Sequence, residues 1–365
     1  MENKVKELAE RCIECGLCKG CCPLLAGMEE SPGKAAARGA TAEESFSCAL
    51  CGCCEAVCPV GVSPKELFAA GRRAAIAAED FRLDEYLYLL PDRDNNLMSV
   101  YRRFSGIDYG DIAVKGEASR CFFPGCTLMT YAPELTRAVF SRLQKDCGCD
   151  GMLTDCCGKP LTQMGLPQRA EAAAAKLVAR LKAHAVREVI VACPGCYYEL
   201  LPVLAAAGVT LKTVYEVLEL PSVDGAGRIC TVHDSCPDRR EGVFGRQVRA
   251  ALAKSGFQTV EMSHSGKKTI CCGSGGMISS FRPDFTEEFV GRRLAEVRES
   301  KAEILANYCA SCTAKFAAAA DDVCVVHALS LLLGRDDDFT AAKKRMAAML
   351  EGPEGDEIWA RIMAD

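Results

Sequence analysis

From Arg120 onward, short apolar runs alternate with stretches whose apolar residues recur three and four positions apart. Phe122-Phe123-Pro124-Gly125-Cys126, Ile190-Val191-Ala192-Cys193, Val232-His233-Asp234-Ser235-Cys236 and Leu305-Ala306-Asn307-Tyr308-Cys309 each read as a strand running into a cysteine turn. Gln168 to Ala185, Val243 to Ser255 and Phe285 to Ser300 carry the helical period. Strands separated by helices predict a parallel sheet with its ligand loops at the strand ends, which is where these cysteines fall. Ahead of this region, Pro64 to Ala78 reads as a helix. Residues 76–118, rich in charge and aromatics (Phe81 to Tyr88, then Tyr101-Arg102-Arg103-Phe104), read as a helical connector. Residues 336–365 read as one or two surface helices broken at Gly352-Pro353-Glu354-Gly355. The apolar run nearest to a membrane span, Val325 to Leu333, falls far short of the roughly 18 residues required, so any membrane attachment is expected through a partner.

The apolar and polar pattern also repeats. Cys126, Cys156-Cys157-Gly158, Cys193 and Cys196 are answered by Cys236, Cys271-Cys272-Gly273, Cys309 and Cys312, at offsets of 110, 115, 116 and 116 residues. Two half-domains are expected, over 119–226 and 227–335. Residues 1–75 form a third compositional unit with ten cysteines, at 12, 15, 18, 21, 22, 48, 51, 53, 54 and 58.

Composition sharpens the picture through one residue type: 25 of 365 residues are cysteine, several-fold above ordinary usage. The polar start, Met1 to Glu7, carries no secretory pattern, which predicts a cytoplasmic setting, at most peripheral to the inner face of the membrane. Thiols in a reducing compartment point to metal ligation rather than disulfides. A formal net charge of −5 argues against a nucleic-acid partner.

Cys12-x2-Cys15-x2-Cys18-x3-Cys22-Pro23 and Cys48-x2-Cys51-x2-Cys54-x3-Cys58-Pro59 both match the bacterial cubane-cluster run. Three closely spaced thiolates take three corners of a cube, and each run gives its last cysteine to the other cluster. The expected sets are Cys12, Cys15, Cys18 and Cys58 for one [4Fe-4S] cluster, and Cys48, Cys51, Cys54 and Cys22 for the other. Four-ligand zinc sites do not need the Cys-Pro tail. Cys21 and Cys53 are spare and read as small buried hydrophobes. The 25 residues between Cys22 and Cys48, with the helix after Cys58, make this unit resemble the all-helical ferredoxin module. Two such clusters imply a one-electron relay.

Cys126-x29-Cys156-Cys157-x35-Cys193-x2-Cys196 and Cys236-x34-Cys271-Cys272-x36-Cys309-x2-Cys312 resemble the CCG cysteine-rich domain of heterodisulfide reductase catalytic subunits. With the ferredoxin module in front, the order is similar to the D-subunit type of that family, and also to iron-sulfur subunits of glycolate, lactate and anaerobic glycerol-3-phosphate oxidation systems. The resemblance implies an α+β multidomain chain: an all-helical ferredoxin domain followed by two pseudo-repeated α/β cysteine-rich half-domains. It implies a noncubane [4Fe-4S] cluster on Cys126, Cys156, Cys157, Cys193 and Cys196, and another on Cys236, Cys271, Cys272, Cys309 and Cys312, with substrate sulfurs bound between them. The x29 interval is short for the family, so Cys121 rivals Cys126. Splitting a disulfide takes two electrons, which two facing clusters can supply one each.

Two functions follow from the resemblance: reduction of a small disulfide, or relay of electrons from a flavoprotein dehydrogenase of the 2-hydroxyacid or glycerol-3-phosphate type to a quinone or other carrier. Either implies an oxidoreductase subunit with a flavoprotein or haem-bearing partner. Cys271 to Gly276 has neither dinucleotide-binding spacing nor a Walker lysine, so flavin is expected on a different polypeptide. Among the remaining residues, His233 is a candidate proton donor or a strand cap, and Lys159 a candidate anion attractor or a plain surface lysine. His327 reads as structural, Asp155 and Asp234 as turn formers, Cys147 and Cys149 as a tight pair with a candidate redox or metal role, and Cys230 and Cys324 as buried strand residues.

Overall fold

The computed structural model describes residues 2–220 and 225–364; Met1, residues 221–224 and Asp365, which fall in the segments expected over 1–75, 119–226 and 336–365, lie outside the described residues. The first unit is all-helical: Glu2–Arg11, Pro23–Gly27, Pro32–Arg38, Ala42–Phe46, Cys53–Ala56 and Pro64–Ala77. These helices are mostly too short to stand on propensity, and their ends are set by caps. Ser31 accepts from Lys34 N ahead of Pro32, and Thr41 with Glu44 closes a capping box. Leu8, Leu24, Leu25, Val62, Leu67 and Phe68 form the core of this unit, with several of the cysteines packed against it.

Each repeat then builds a four-stranded parallel sheet. The first contains β1 (Arg120–Phe123), β2 (Gly151–Met152), β3 (Glu188–Val191) and β4 (Thr210–Thr213) in the order β2-β1-β3-β4. The second contains β5 (Ile229–His233), β6 (Gln258–Val260), β7 (Ile304–Asn307) and β8 (Cys324–His327) in the order β6-β5-β7-β8. Helices Pro167–Ala183, Val243–Lys254 and Pro283–Glu299 lie within two residues of the expected bounds. Alternation along the strands separates two core layers: Phe122 and Ile190 bury on one face of the first sheet, and Cys121, Phe123, Val189 and Val191 on the other.

The strand order reverses direction between β1 and β3, and again between β5 and β7. At such a switch point the loops leaving the two central strands diverge and open a crevice at their carboxyl ends. Cys126 and Cys193 follow β1 and β3, while Cys236 and Cys309 follow β5 and β7. The adjacent pairs Cys156-Cys157 and Cys271-Cys272 arrive from the outer strands β2 and β6. All ten sulfurs of the doubled motif are thereby delivered to the two crevices by topology.

The repeats pack face to face. Tyr198 hydroxyl donates to Asp238 of the second repeat at 2.6 Å, and Thr127 and Ser311 hydroxyls meet at 3.2 Å. Arg72, from helix Pro64–Ala77, fastens the helical unit to both. It is fully buried and donates to the carbonyls of Ser45 (2.9 Å), Phe46 (3.4 Å) and Cys48 (2.6 Å), to Gln163 (2.7 Å) in the first repeat and to Gly276 (2.9 Å) in the second.

The connector is less helical than its composition suggests, holding a 3-10 stretch at Leu83–Leu89 and one α-helix at Leu97–Phe104. Its aromatics find tertiary partners instead: Val100 and Tyr101 pack on Ala342, Met346, Met349 and Ile362 of the terminal helices Ala341–Met349 and Gly352–Met363. Gly352-Pro353 opens the second of these helices, since proline suits a first turn. No described helix is long and apolar enough to cross a membrane.

Candidate metal centres

In the helical unit the cysteines fall into two groups, each drawing one sulfur from the other run. Cys18 is pushed up by burial, then by Cys12, Cys15 and Cys58. A cavity of about 240 Å³ lies among Cys12, Cys15, Cys18, Cys54 and Cys58. Cys22 is pushed up by burial, then by Cys48 and Cys51. Cys54 feels Cys48, Cys51 and Cys22 before Cys18, and so stands between the groups. The first group faces outward: Cys15 is exposed, flanked by Ile13 and Leu17 at 60% and 56% exposure. Cys21 and Cys53 are buried, within hydrogen-bonding reach of each other, and packed on Ile270.

In the first repeat Cys126 reaches Cys156, Cys156 reaches Cys157, Cys157 reaches Cys196 and Cys196 reaches Cys193. Cys121 instead lies buried in β1, beside Asp150 and Arg180. In the second repeat Cys271 reaches Cys272, the Sγ atoms of Cys272 and Cys312 are 3.1 Å apart, and Cys312 reaches Cys309. Cys236 lies close enough to feel Lys159, Cys272 and Cys51, with burial pushing its thiol up to about 12. Gly158 and Gly273 follow the cysteine pairs at φ +80° and +79°. A side chain at Gly273 would also stand 2.9 Å from the Thr286 carbonyl. Only glycine turns the chain this tightly after two ligand-type residues.

The groups also touch one another. Cys51 reaches Cys271, tying the helical unit to the second repeat. Cys193 reaches Cys309, tying the two repeats together. The loop after Cys272 makes the first contact possible, because a Cβ on Gly276 would lie 2.8 Å from the Cys48 carbonyl. A line of thiols therefore runs from Cys51 through Cys271, Cys272, Cys312, Cys309, Cys193, Cys196, Cys157 and Cys156 to Cys126.

Along this line some sulfurs are drawn below the ordinary thiol range by their neighbours. Cys272 is held well below the ordinary thiol range by Cys271, then by Cys312 and the His233 imidazole. Cys157 is held low by Cys156, then by Cys196 and Lys159. Cys309 is held low by Cys193, then by Cys312. Cys51 is lowered to about 6 by Cys271, with Arg239 contributing. Arg239 is buried and donates to the carbonyls of Cys51 (3.3 Å) and Lys267 (2.7 Å).

Several single residues stand apart from their expected places. The His233 ring, read from sequence as a candidate proton donor or a strand cap, lies against Cys272 and Cys312. Asp234 is more than a turn former: it is buried, pairs with both Arg249 nitrogens at 2.8 Å, and accepts from Gly266 N at 2.6 Å. Asp155 pairs with Arg180 at 2.9 Å. His327 caps a helix through Leu329 N at 3.2 Å. It also lines a cleft of about 20 Å³ with Cys126, Cys193, Cys196, Thr127 and Ser311, a location its sequence context did not signal. Lys159 lies near Gly195, where a Cβ would meet its Nζ at 3.3 Å, and its charge acts on both Cys157 and Cys236. Cys147 donates to Leu143 O while Cys149 points to Arg120 O and Gly151 O, so the pair diverges. Cys230 is buried as expected. Cys324 is exposed, because it starts edge strand β8 on the outward side.

The donor chemistry fits sulfur-bound iron. Soft thiols converge in buried crevices at the strand ends, the donor type that suits iron-sulfur clusters. All 25 cysteines are unbridged.

Comparison with known proteins finds two domain families along the chain. Residues 8–62 match the 4Fe-4S dicluster domain, and residues 121–201 and 230–317 each match the CCG cysteine-rich domain. The D subunit of the dihydromethanophenazine:CoB--CoM heterodisulfide reductase of Methanosarcina barkeri is 25% identical over 224 residues, 55% of this chain and 54% of that protein. Lactate utilization protein A 1 of Bacillus mycoides is 25% identical over 214 residues, 52% of this chain and 84% of that protein. The B subunit of the fumarate reductase (CoM/CoB) of Methanothermobacter marburgensis is 25% identical over 202 residues, 52% and 40% of the two chains. The match thus spans about half of the heterodisulfide reductase protein and less of the fumarate reductase one. The chain is an iron-sulfur electron-transfer protein, a 4Fe-4S dicluster domain joined to a doubled CCG cysteine-rich domain, homologous to the D subunit of heterodisulfide reductase and to lactate utilization protein A.

Proposed function

We propose that this chain carries electrons from its helical unit through the second repeat to the first, where a small disulfide is reduced in the cleft between the repeats. The succession of neighbouring thiols from Cys51 to Cys126 carries this reading. In it, Cys12, Cys15, Cys18 and Cys58 hold one cubane cluster and Cys48, Cys51, Cys54 and Cys22 the other. Each five-cysteine set, Cys126 to Cys196 and Cys236 to Cys312, holds a noncubane one. Bound there, these [4Fe-4S] clusters supply single-electron storage and transfer.

The chain's own residues then position the reaction. The exposed loop of Ile13, Cys15 and Leu17 presents an apolar face to a flavin- or haem-bearing partner protein. Thr127, Ser311 and His327 line the cleft, and the Lys159 ammonium, which lies near Gly195 between Cys193 and Cys196, draws in an acidic substrate group. The disulfide takes up two electrons and two protons and leaves as two thiols.

One observation favours the alternative, a relay for a flavoprotein dehydrogenase to a quinone or other carrier. At about 20 Å³ the cleft has room for about one water, so a disulfide needs the repeats to part. Electron paramagnetic resonance on anaerobically purified, oxidised protein, titrated with a panel of small thiols alongside iron quantification, separates the two. About 16 irons, four per [4Fe-4S] cluster, and a new thiol-induced signal are expected for disulfide reduction. A full complement indifferent to every thiol sinks it in favour of the relay.

A further inference from the structure

His233 ends β5 almost fully buried, at 1% exposure, and apart from the Cys272 sulfur beside the ring its nitrogens meet no hydrogen-bond partner among the described residues. A buried polar atom left unpaired costs about 1–3 kcal/mol. Nothing in the scaffold asks for that cost. The equivalent position of the first repeat, three residues before its first cysteine, is Phe123, which is equally buried at 1%. Exchanging phenyl for imidazole at this point is uphill unless the pocket offers the ring something to bind.

What the pocket offers is sulfur. A ring nitrogen of His233 and the Sγ atoms of Cys272 and Cys312 all lie within 4.8 Å of one another, and all three side chains are buried. Phe316 packs edge-on against the imidazole, with ring centroids 4.9 Å apart and planes at 76°, which fixes the ring's plane. Nitrogen at about 2.0 Å and sulfur at about 2.3 Å from one metal ion, in tetrahedral array, fall within that spacing.

We propose that His233 supplies a nitrogen ligand to the metal centre of the second cysteine-rich repeat, alongside Cys272 and Cys312. The second centre then has a mixed nitrogen and sulfur donor set, where the first is all sulfur. The imidazole gives a lone pair to the metal while remaining neutral, so no electron or proton changes hands. Compared with a thiolate it adds no negative charge, and the centre is easier to reduce. The inference rests on the reading that the second repeat holds an iron-sulfur cluster.

The test is pulsed electron paramagnetic resonance on the full chain grown with ¹⁵N-histidine or with natural histidine. It is run in wild type and in Cys157→Ala, which removes the first repeat's signal. A strong, isotope-dependent nitrogen coupling is expected in both, retained in His327→Phe and lost in His233→Phe, the residue that the first repeat carries. The isotope comparison needs no substitution at His233 and so decides even where that variant fails to fold. A second-repeat cluster present by iron content and signal, but without strong histidine coupling, overturns the proposal and leaves the cluster assignment standing. A second repeat that binds no metal overturns both.

Discussion

The two cysteine-rich repeats carry the same five sulfurs on the same strand order, yet their surroundings diverge. The second set is the more enclosed. Cys271, Cys272 and Cys312 are buried at 0%, 3% and 3% while Cys236 and Cys309 are half-buried, the loop at Gly275 and Gly276 lies on Ala49 and Cys48, and Cys51 lies beside Cys271. Its first cysteine turn is pinned by the buried Asp234, which pairs with the half-buried Arg249. The first set instead borders the cleft beside Thr127, Ser311 and His327, with Lys159 near it. Duplication supplied two equivalent crevices, and packing against the helical unit made one of them interior. In the proposed function that interior set is the junction, and the set at the cleft is the terminus.

Breaking the line at one set or the other gives the largest contrast. Cys272→Ala removes a sulfur from the junction, so electrons delivered by a reduced protein donor, too large for the cleft, reach neither repeat. Cys157→Ala removes a sulfur from the terminus and leaves the second repeat reducible. Both variants lose disulfide reduction and keep the spectrum of the ferredoxin-type clusters. The check is electron paramagnetic resonance after a single reductive turnover. A Cys157→Ala protein whose second repeat stays oxidised would reverse the order of the two sets.

A smaller but still large effect is expected at the joint that makes the repeats unequal. Arg72 is a buried cation whose partners are carbonyls of the helical unit, of Gln163 and of Gly276. Arg72→Met strands those carbonyls away from water and loosens the second repeat from Cys48. The expected loss is about 1–3 kcal/mol, the cost of leaving a buried acceptor unsatisfied, read as a lowered midpoint in anaerobic thermal or denaturant unfolding. A change no larger than the ~0.5 kcal/mol typical of surface sites would mean that the joint rests on Gly275 and Gly276 alone.

These features mark where the sequence stops being informative. The cysteine sets were legible because ligand spacing is local: x2 and x3 intervals lie within one loop or helical turn, and a repeat offset is visible without coordinates. The strand-to-cysteine transitions were equally readable, since Val191 and Asn307 lead directly into Cys193 and Cys309. Contacts across the chain were not. His233 meets Cys272 only because β5 and the loop after β6 share a crevice, 39 residues apart in sequence. Arg72 reads as an ordinary helix cation until two other units close over it. His327 ends a strand like any other, and only the face-to-face packing of the repeats brings it to the cleft. The connector misled for the same reason in reverse: its aromatics satisfy the terminal helices, not a helical period of its own.

The finest difference lies at the strand starts, far from the sulfurs, and isolates the sheets from the sites. In the first sheet Arg120 and Glu188 pair across β1 and β3, and Lys212 adds a 2.8 Å contact from β4. The matching row of the second sheet is Cys230, Ile304 and Cys324, without a charge. Burial pushes the Glu188 carboxyl up, but Lys212 and Arg120 outweigh it and hold the group below the usual carboxylate range. A carboxylate with a depressed folded value stabilises the protein fully above its unfolded pKa of about 4.3 and loses that contribution as pH falls through the folded value. Glu188→Gln should therefore cost about 0.5–1 kcal/mol near neutral pH, the range of partly exposed pairs, and the gap to wild type should close in acid. Urea unfolding at neutral pH and again below the usual carboxylate range measures both. A gap that stays constant between the two pH values would assign the loss to packing of the glutamine, and the two sheets would then differ in shape rather than in charge.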